Sequence, residues 1–132
     1  MSNTPIRVAI VDDEPSVRTA LARLLSASSF EAKTYGSAEE FIESIRAGVP
    51  ECLVVDIHMP ELTGLDLQRY LARAGIKIPT IVITAFNDVE TREQCTAIGA
   101  IAFLTKPLHG PTLIDTIRKA AAHCEPDKTG SA

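Results

Sequence analysis

The sequence predicts an α/β fold in which five parallel strands form one doubly wound sheet with helices on both faces. Short apolar runs, such as Cys52 to Val55 and Thr80 to Ile83, have the composition of parallel strands buried on both sides. These runs alternate with segments in which apolar residues recur at helical spacing. That alternation is the pattern of successive right-handed βαβ units.

The first half of the chain is predicted to contain two strands and two helices. The run from Ile6 to Val11 is the first strand, and Pro15 suits the first turn of the helix that follows. The second strand is predicted from Phe30 to Tyr35. Ser37 to Glu40 has the form of a capping box, which predicts a helix through Arg46. The predicted inward residues of the two helices are Val17, Leu21, Leu24, Leu25, Phe41, Ile42 and Ile45.

The third strand, Cys52 to Val55, is followed by a long loop and then by a helix that begins at Gly64 and ends at Gly75. Pro79 leads into the fourth strand. This third helix carries the apolar and aromatic residues Leu65, Leu67, Tyr70 and Leu71.

The fourth helix, from about Val89 to Ile98, has little apolar surface and is predicted to be the least firmly anchored helix. Asn87 or Asp88 can cap it. The last strand is predicted from Ile101 to Thr105, and the last helix from near Pro111. Residues 1–123 are predicted to form one domain, and residues 124–132 a disordered tail or a linker.

Composition excludes several function classes. The net charge of −4 comes without a basic stripe, so direct nucleic-acid binding is not expected. No apolar run approaches the roughly 20 residues of a membrane helix, and a secretory signal is not expected. The three cysteines are odd in number and widely spaced, which favours structural use in a cytoplasmic protein.

Polar side chains follow the apolar runs at their carboxyl ends. Asp12 and Asp13 follow the first strand, Asp56 the third, Thr84 the fourth and Lys106 the last. Because the working site of such a sheet lies outside the carboxyl ends of its strands, these groups are expected to converge. Carboxylate oxygens suit Mg²⁺, and the ammonium and hydroxyl suit a phosphoryl group.

Four of these five residues also have a simpler interpretation when taken alone. Asp12 and Asp13 could cap a helix, and Thr84 or Lys106 could be solvated loop residues. Within the constellation, Asp56 is the best candidate for a nucleophile that forms an aspartyl phosphate, because it stands alone at a strand end.

The chain from about Ile6 to Ala122 strongly resembles a bacterial two-component response-regulator receiver domain. The motifs that carry the resemblance are Val11-Asp12-Asp13-Glu14, Asp56-Ile57-His58-Met59-Pro60 with Gly64, Thr84-Ala85, and Lys106-Pro107. The resemblance implies a flavodoxin-like (βα)5 sheet with strand order 2-1-3-4-5. The stretches around Thr84 and Lys106 are most similar to receivers linked to helix-turn-helix transcription factors.

The resemblance also implies a role for each site residue. Asp56 would accept a phosphoryl group from a sensor histidine kinase. Asp13, Asp56 and the backbone carbonyl of His58 would bind Mg²⁺ directly, with Mn²⁺ able to replace it, and Asp12 would act largely through water. Thr84 and Lys106 would bind the phosphoryl oxygens. The Lys106–Pro107 peptide bond would be cis.

Switching would involve Thr84 and Phe103, although a core role for Phe103 is equally open. His58 and Phe86 would tune the lifetime of the phosphorylated state. The fourth helix, last strand and last helix would form the output face, with Ile101 and Arg92 as candidate contacts. A homodimer that forms on phosphorylation, or an output domain or partner protein outside this chain, would use that face to control an output such as transcription.

The sequence therefore predicts a signalling phospho-acceptor with modest self-phosphorylation and self-dephosphorylation, not an enzyme that turns over a substrate. A Mg²⁺-dependent phosphohydrolase is the enzyme alternative, but His58 stands where such enzymes usually have a second acid. A binding module without phosphorylation is the third alternative. Neither Gly-x-Gly-x-x-Gly nor a P-loop is present.

Overall fold

Five parallel strands and five helices alternate along the chain in a computed structural model that describes residues 5–85 and 88–124. The strands are β1 (Arg7–Val11), β2 (Glu31–Tyr35), β3 (Cys52–Asp56), β4 (Thr80–Thr84) and β5 (Ala100–Thr105). The helices are α1 (Pro15–Ala27), α2 (Ala38–Ser44), α3 (Gly64–Ala74), α4 (Val89–Ile98) and α5 (Gly110–Cys124). The strand order is β2-β1-β3-β4-β5, with every neighbouring pair parallel, so the predicted fold is confirmed.

The sheet is covered on both faces, as its uninterrupted apolar strands require. Alternate residues of each strand point to opposite faces. Ala9, Leu53 and Val82 pack with apolar residues of α2, α3 and α4. Ile10, Val54 and Ile81 pack with residues of α1 and α5 on the other face. Every residue of β3 and β4 is buried, and these two strands are apolar apart from Thr80 and the terminal residues Asp56 and Thr84.

The element bounds differ from the predicted ones at a few ends. The third strand includes Asp56, the last strand begins one residue early at Ala100, and α5 begins at Gly110. Helix α2 ends at Ser44, before the predicted end at Arg46, and the Ser44 hydroxyl donates to the Phe41 carbonyl there. The predicted tail from residue 125 onward lies outside the described residues.

Side chains cap the starts of α2, α3 and α4, and at α2 one of the predicted hydrogen bonds goes to a different backbone N–H. The Ser37 hydroxyl accepts from the Glu40 N–H at the start of α2, but the Glu40 carboxylate accepts from Gly36 N–H instead of completing a capping box. A complete capping box opens α3, between Thr63 and Asp66. Of the two predicted caps for α4, Asp88 lies within the described residues and accepts from the Glu90 N–H.

Helix α4 is weakly anchored, as predicted. Cys95 is its buried residue, whereas Val89 is 63% exposed. Because apolar packing provides most of the stability of a helix in a protein, α4 can change position at lower cost than α3, which buries Leu67 and Leu71. Among the described residues, no helix is both long enough and apolar enough to cross a membrane.

Ser29 offers a test of local backbone strain. It follows the end of α1 with φ of 71°, while Phe30 N–H donates to the Leu25 carbonyl and Ser29 N–H to the Ser26 carbonyl. This is a Schellman motif, whose left-handed position normally holds glycine. The left-handed conformation costs a non-glycine residue about 1–2 kcal/mol, and the extra freedom of an unfolded glycine offsets about 0.5–1 kcal/mol of that.

We therefore expect Ser29→Gly to raise the free energy of unfolding by about 0.5–1 kcal/mol. Urea denaturation followed by circular dichroism measures the change. Ser28→Gly is the matched control, because Ser28 has φ of −100° and glycine gains nothing there. Stabilisation by the control and not by Ser29→Gly would contradict the argument.

Candidate functional site

The polar residues at the strand ends converge at the carboxyl edge of the sheet. Asp12 directly follows β1, Asp56 and Thr84 are the last residues of β3 and β4, and Lys106 directly follows β5. The Lys106 N–H donates to the Thr84 carbonyl at 2.7 Å, which extends the pairing of β4 with β5 to the edge. The structure thus brings together groups that lie up to 94 positions apart in the chain.

Three carboxylates form the centre of this site. One oxygen each of Asp12, Asp13 and Asp56 lies within 4.8 Å of the others. Asp12 is fully buried and Asp56 is 5% exposed, whereas Asp13 is exposed. Neighbouring ligands of an octahedral Mg²⁺ are about 2.9 Å apart and opposite ligands about 4.2 Å, so the three oxygens would move closer together if all of them bound one ion. The donor set is made of hard oxygens and fits a divalent cation.

Lys106 is the cation that contacts these carboxylates. Its Nζ donates to Asp12 Oδ2 and to Asp56 Oδ2, both at 3.2 Å, and lies 3.9 Å from Glu14 Oε1. Burial alone lowers the pKa of Lys106, but the charges of Asp56 and Asp12 outweigh burial and raise that pKa above its usual value. The side chain therefore remains an ammonium ion at neutral pH.

The Asp12 carboxylate is buried close to a second carboxylate, and both conditions disfavour its charged form. Its pKa is raised, first by burial and also by the charge of Asp56, against the lowering effects of the Glu14 N–H and of Lys106. The Glu14 N–H donates to Asp12 Oδ1 at 2.9 Å. Asp12 thus contributes both to the turn before α1 and to the acidic site. The N-cap residue of α1 is Glu14, whose side chain makes no capping hydrogen bond.

Asp56 has both carboxylate oxygens engaged by donors. Oδ1 accepts from the backbone N–H of His58 at 3.0 Å, and Oδ2 accepts from Lys106. Two hydrogen bonds therefore hold the Asp56 carboxylate in place, with Oδ2 next to the Lys106 ammonium. Thr84 is buried at the neighbouring strand end, and the Lys106–Pro107 peptide bond is cis, which is the geometry that the resemblance implied.

The proposed switch residues lie on the α4 side of the sheet. Phe103 is half-buried on β5, packs against the core under α2, α3 and α4, and has the Arg92 guanidinium 5.3 Å from its ring centroid. Ile101, two residues earlier, is 43% exposed. Phe86 lies outside the described residues, so its predicted tuning role has no structural counterpart here, and that of His58 stays a prediction.

Sequence reasoning missed Arg18. This residue reaches back from α1, where its Nη1 donates to the Asp12 carbonyl at 2.7 Å. The contact restrains the β1–α1 turn that carries Asp12 and Asp13. An arginine on a helix usually faces solvent, and no spacing in the sequence distinguishes this one.

Comparison with known proteins assigns the family. A sequence model described as "Response regulator receiver domain" matches residues 8–118. The chain belongs to this family. The receiver domain predicted from the motifs at the strand ends is therefore confirmed.

Relatives and solved structures agree with the assignment. The transcriptional regulatory protein FixJ of Rhizobium meliloti is 39% identical over 91% of this chain and 59% of its own length. The transcriptional regulatory protein TdiR of Thauera aromatica is 36% identical over 87% of this chain and 51% of its own. The crystal structure of FixJ-N superposes with a TM-score of 0.84 at 36% identity, over 93% of this chain and 97% of that one. This receiver domain spans about half the length of the curated relatives it matches.

Gly64, the first residue of α3, lies directly against the backbone at the end of the strand that carries Asp56. A Cβ atom at this position would lie 2.6 Å from the Asp56 carbonyl oxygen and 3.0 Å from Ile57 Cα. Both are backbone atoms that cannot rotate away, so α3 would have to move from the end of β3. The absence of a side chain at Gly64 therefore lets α3 begin directly against the strand that carries Asp56.

We expect Gly64→Ala to lower the free energy of unfolding by about 1–3 kcal/mol, the usual cost of overpacking. Chemical denaturation measures the loss, and the amide shift of His58 reports whether the Asp56 loop has moved. Gly110→Ala is the control, because a Cβ there meets only the flexible end of Leu24 at 3.4 Å. Equal stability of Gly64→Ala and its parent would contradict the close-approach argument.

Proposed function

We propose that this receiver domain accepts a phosphoryl group on Asp56 from a sensor histidine kinase and uses the modification to control an output. The observation that carries the proposal is the position of Asp56, whose carboxylate lies among two further acids and the Lys106 ammonium at one edge of the sheet. In the transfer, a bond forms between an Asp56 oxygen and phosphorus while the bond from phosphorus to the kinase histidine nitrogen breaks.

The neighbouring residues support this chemistry through charge. Thr84 stands at the end of β4, next to β3, and Lys106 follows β5, the next strand along, so a hydroxyl and an ammonium can donate to phosphoryl oxygens. The His58 N–H fixes the rotamer of Asp56 by donating to Oδ1. These groups orient the nucleophile and offset the charge that the phosphoryl group brings.

Mg²⁺ is the proposed cofactor, with Mn²⁺ able to replace it. Asp13 and Asp56, together with the His58 carbonyl, would bind it, and Asp12 would contribute through water. The bound ion neutralises the repulsion between a phosphoryl dianion and three carboxylates. The oxygen donors within 4.8 Å of one another support this assignment.

The output is proposed to be transcription, since relatives that include FixJ and TdiR are named transcriptional regulatory proteins. The output face would comprise α4, β5 and α5, with Arg92 and Ile101 as contacts. A homodimer formed on phosphorylation, or an attached output domain, would use this face, and the protein would act in the cytoplasm. Weak anchoring of α4 and the Arg92–Phe103 contact support a change of packing there.

The direct test is phosphorylation by a small donor. We expect phosphoramidate with Mg²⁺ to increase the intact mass by one phosphoryl group, because the P–N bond of this donor resembles that of a phosphohistidine. The same mixture in EDTA should show little adduct, since the three acids then repel the donor. Equal adduct in Mg²⁺ and in EDTA, or none in either, would refute the proposed function.

A further inference from the structure

Gln68 is a buried polar residue outside the phosphoryl site. It lies on α3 with 5% of its surface exposed, and its Nε2 donates to the Cys95 carbonyl of α4 at 3.3 Å. Within the described part of the chain, its Oε1 is buried without a hydrogen-bond partner. A buried acceptor without a donor is costly, because it has given up water and gained nothing.

This half-satisfied amide contacts the helix that is most weakly held. Gln68 binds the backbone carbonyl of Cys95, which is also the buried residue of α4. The hydrogen bond to α3 and the apolar burial of α4 therefore involve the same residue. The Cys95 carbonyl also accepts from Gly99 N–H, as part of the helix end. The Cys95 carbonyl therefore has a hydrogen-bond donor even without Gln68. The Gln68 amide adds a second donor to this carbonyl, but it also places its unpaired Oε1 in the interface between α3 and α4.

The interface also contains space. A groove of about 590 Å³ opens beside Gln68 at the edge of the sheet opposite the acidic site. Its walls include Leu71 near the end of α3, Ile76 just after that helix, and Ile98 and Gly99 at the end of α4. The C-terminal end of α4 therefore has room for displacement next to the residue that ties it to α3.

We propose that Gln68 is a positioning residue that keeps α4 in a loosely held resting position, so that a signal at Asp56 can shift the helix at small cost. An apolar side chain of the same length would hold α4 to α3 more firmly, because it would remove the unpaired oxygen. The link between α4 and output rests on the proposed function, but the effect of Gln68 on α4 can be measured without any phosphoryl group.

Amide hydrogen exchange of the whole chain provides that measurement. Gln68→Met conserves length and volume and removes both polar atoms. We expect the protection of α4 amides to rise about threefold to tenfold relative to β3 amides, which report global unfolding. Gln68→Glu removes the donor and adds a charge beside the Cys95 carbonyl, so protection of α4 should fall by a similar factor.

Gln94→Met is the matched control, because Gln94 is exposed on α4 and undergoes the same chemical change. Protection of α4 that is unchanged in Gln68→Met, or that changes only as much as β3, would overturn the proposal. A fall in Gln68→Met would also overturn it, since that result means that the amide, directly or through an ordered water, stabilises α4.

A second arm adds beryllofluoride, which mimics the phosphoryl group on Asp56. We expect amide shifts in α4 of the parent and smaller ones in Gln68→Met. Absence of α4 shifts in the parent would refute the proposed switch and leave the exchange result standing. Shifts of equal size in both proteins would refute the role of Gln68 alone.

Discussion

Asp56→Asn should abolish formation of the phosphoryl adduct, with the rate falling at least about 100-fold, because loss of a nucleophile typically costs more than that. The substitution keeps the shape of the side chain, and its oxygen can still accept from the His58 N–H. What it removes is the negative charge and the second carboxylate oxygen beside Lys106. A neutral amide oxygen is a far weaker nucleophile toward phosphorus than a carboxylate.

Intact mass spectrometry after incubation with phosphoramidate and Mg²⁺ measures the effect. Asp115→Asn is the matched control, because this residue undergoes the same chemical change on the exposed surface of α5. Asp13 is the informative competitor, since it is the exposed acid of the three. An adduct in Asp56→Asn that forms at the parental rate and maps to Asp13 would show that the nucleophile has been misassigned.

The fold and the convergence of the site could be predicted because both depend on short-range patterns. Apolar runs identify buried strands, and the carboxyl ends of parallel strands necessarily meet at one edge. Asp12, Asp56 and Lys106 could therefore be placed together from three separate segments. The weak anchoring of α4 was equally visible, as a helix sequence with little apolar surface.

Other features depend on contacts that no local pattern encodes. The adjacency of Asp12 and Asp13 does not reveal which one is buried, because that depends on how the β1–α1 turn leaves the sheet. The bond from Arg18 to the Asp12 carbonyl and the unpaired oxygen of Gln68 arise from side-chain rotamers in the packed structure. Ser29 occupies a position that normally favours glycine, so the end of α1 lacked its usual signal.

The charge balance of the site leads to the second large prediction. Lys106 has a raised pKa, so its charge contributes stability that is fully present below the unfolded value of 10.5 and is lost as pH rises through the folded pKa. Asp12 also has a raised pKa, but for an acid this means that its stability contribution is present below the unfolded value of 3.8 and is lost as pH rises through the folded pKa. At neutral pH, therefore, the Asp12 charge destabilises the metal-free domain and the Lys106 charge stabilises it.

Lys106→Met should lower the free energy of unfolding in EDTA by about 2–3 kcal/mol. Breaking a fully buried ion pair typically costs about 3–5 kcal/mol, and the Lys106 side chain is 19% exposed, which reduces that cost. Urea denaturation at neutral pH measures it. Lys119→Met is the matched control, because its pair with Asp115 has the same 3.2 Å distance on the exposed surface. Such exposed pairs contribute about 0–1 kcal/mol.

A second substitution tests whether the loss comes from uncompensated charge. Asp12→Asn keeps an oxygen that can accept from the Glu14 N–H but removes the buried charge. Alone, it should raise the melting temperature by a few degrees, equivalent to about 1 kcal/mol. Added to Lys106→Met, it should recover about 2 kcal/mol, roughly twice its effect alone, because without the Lys106 cation the buried Asp12 charge is no longer compensated. Strict additivity of the two substitutions would mean that Lys106 stabilises the domain through packing of its alkyl chain and not through its charge.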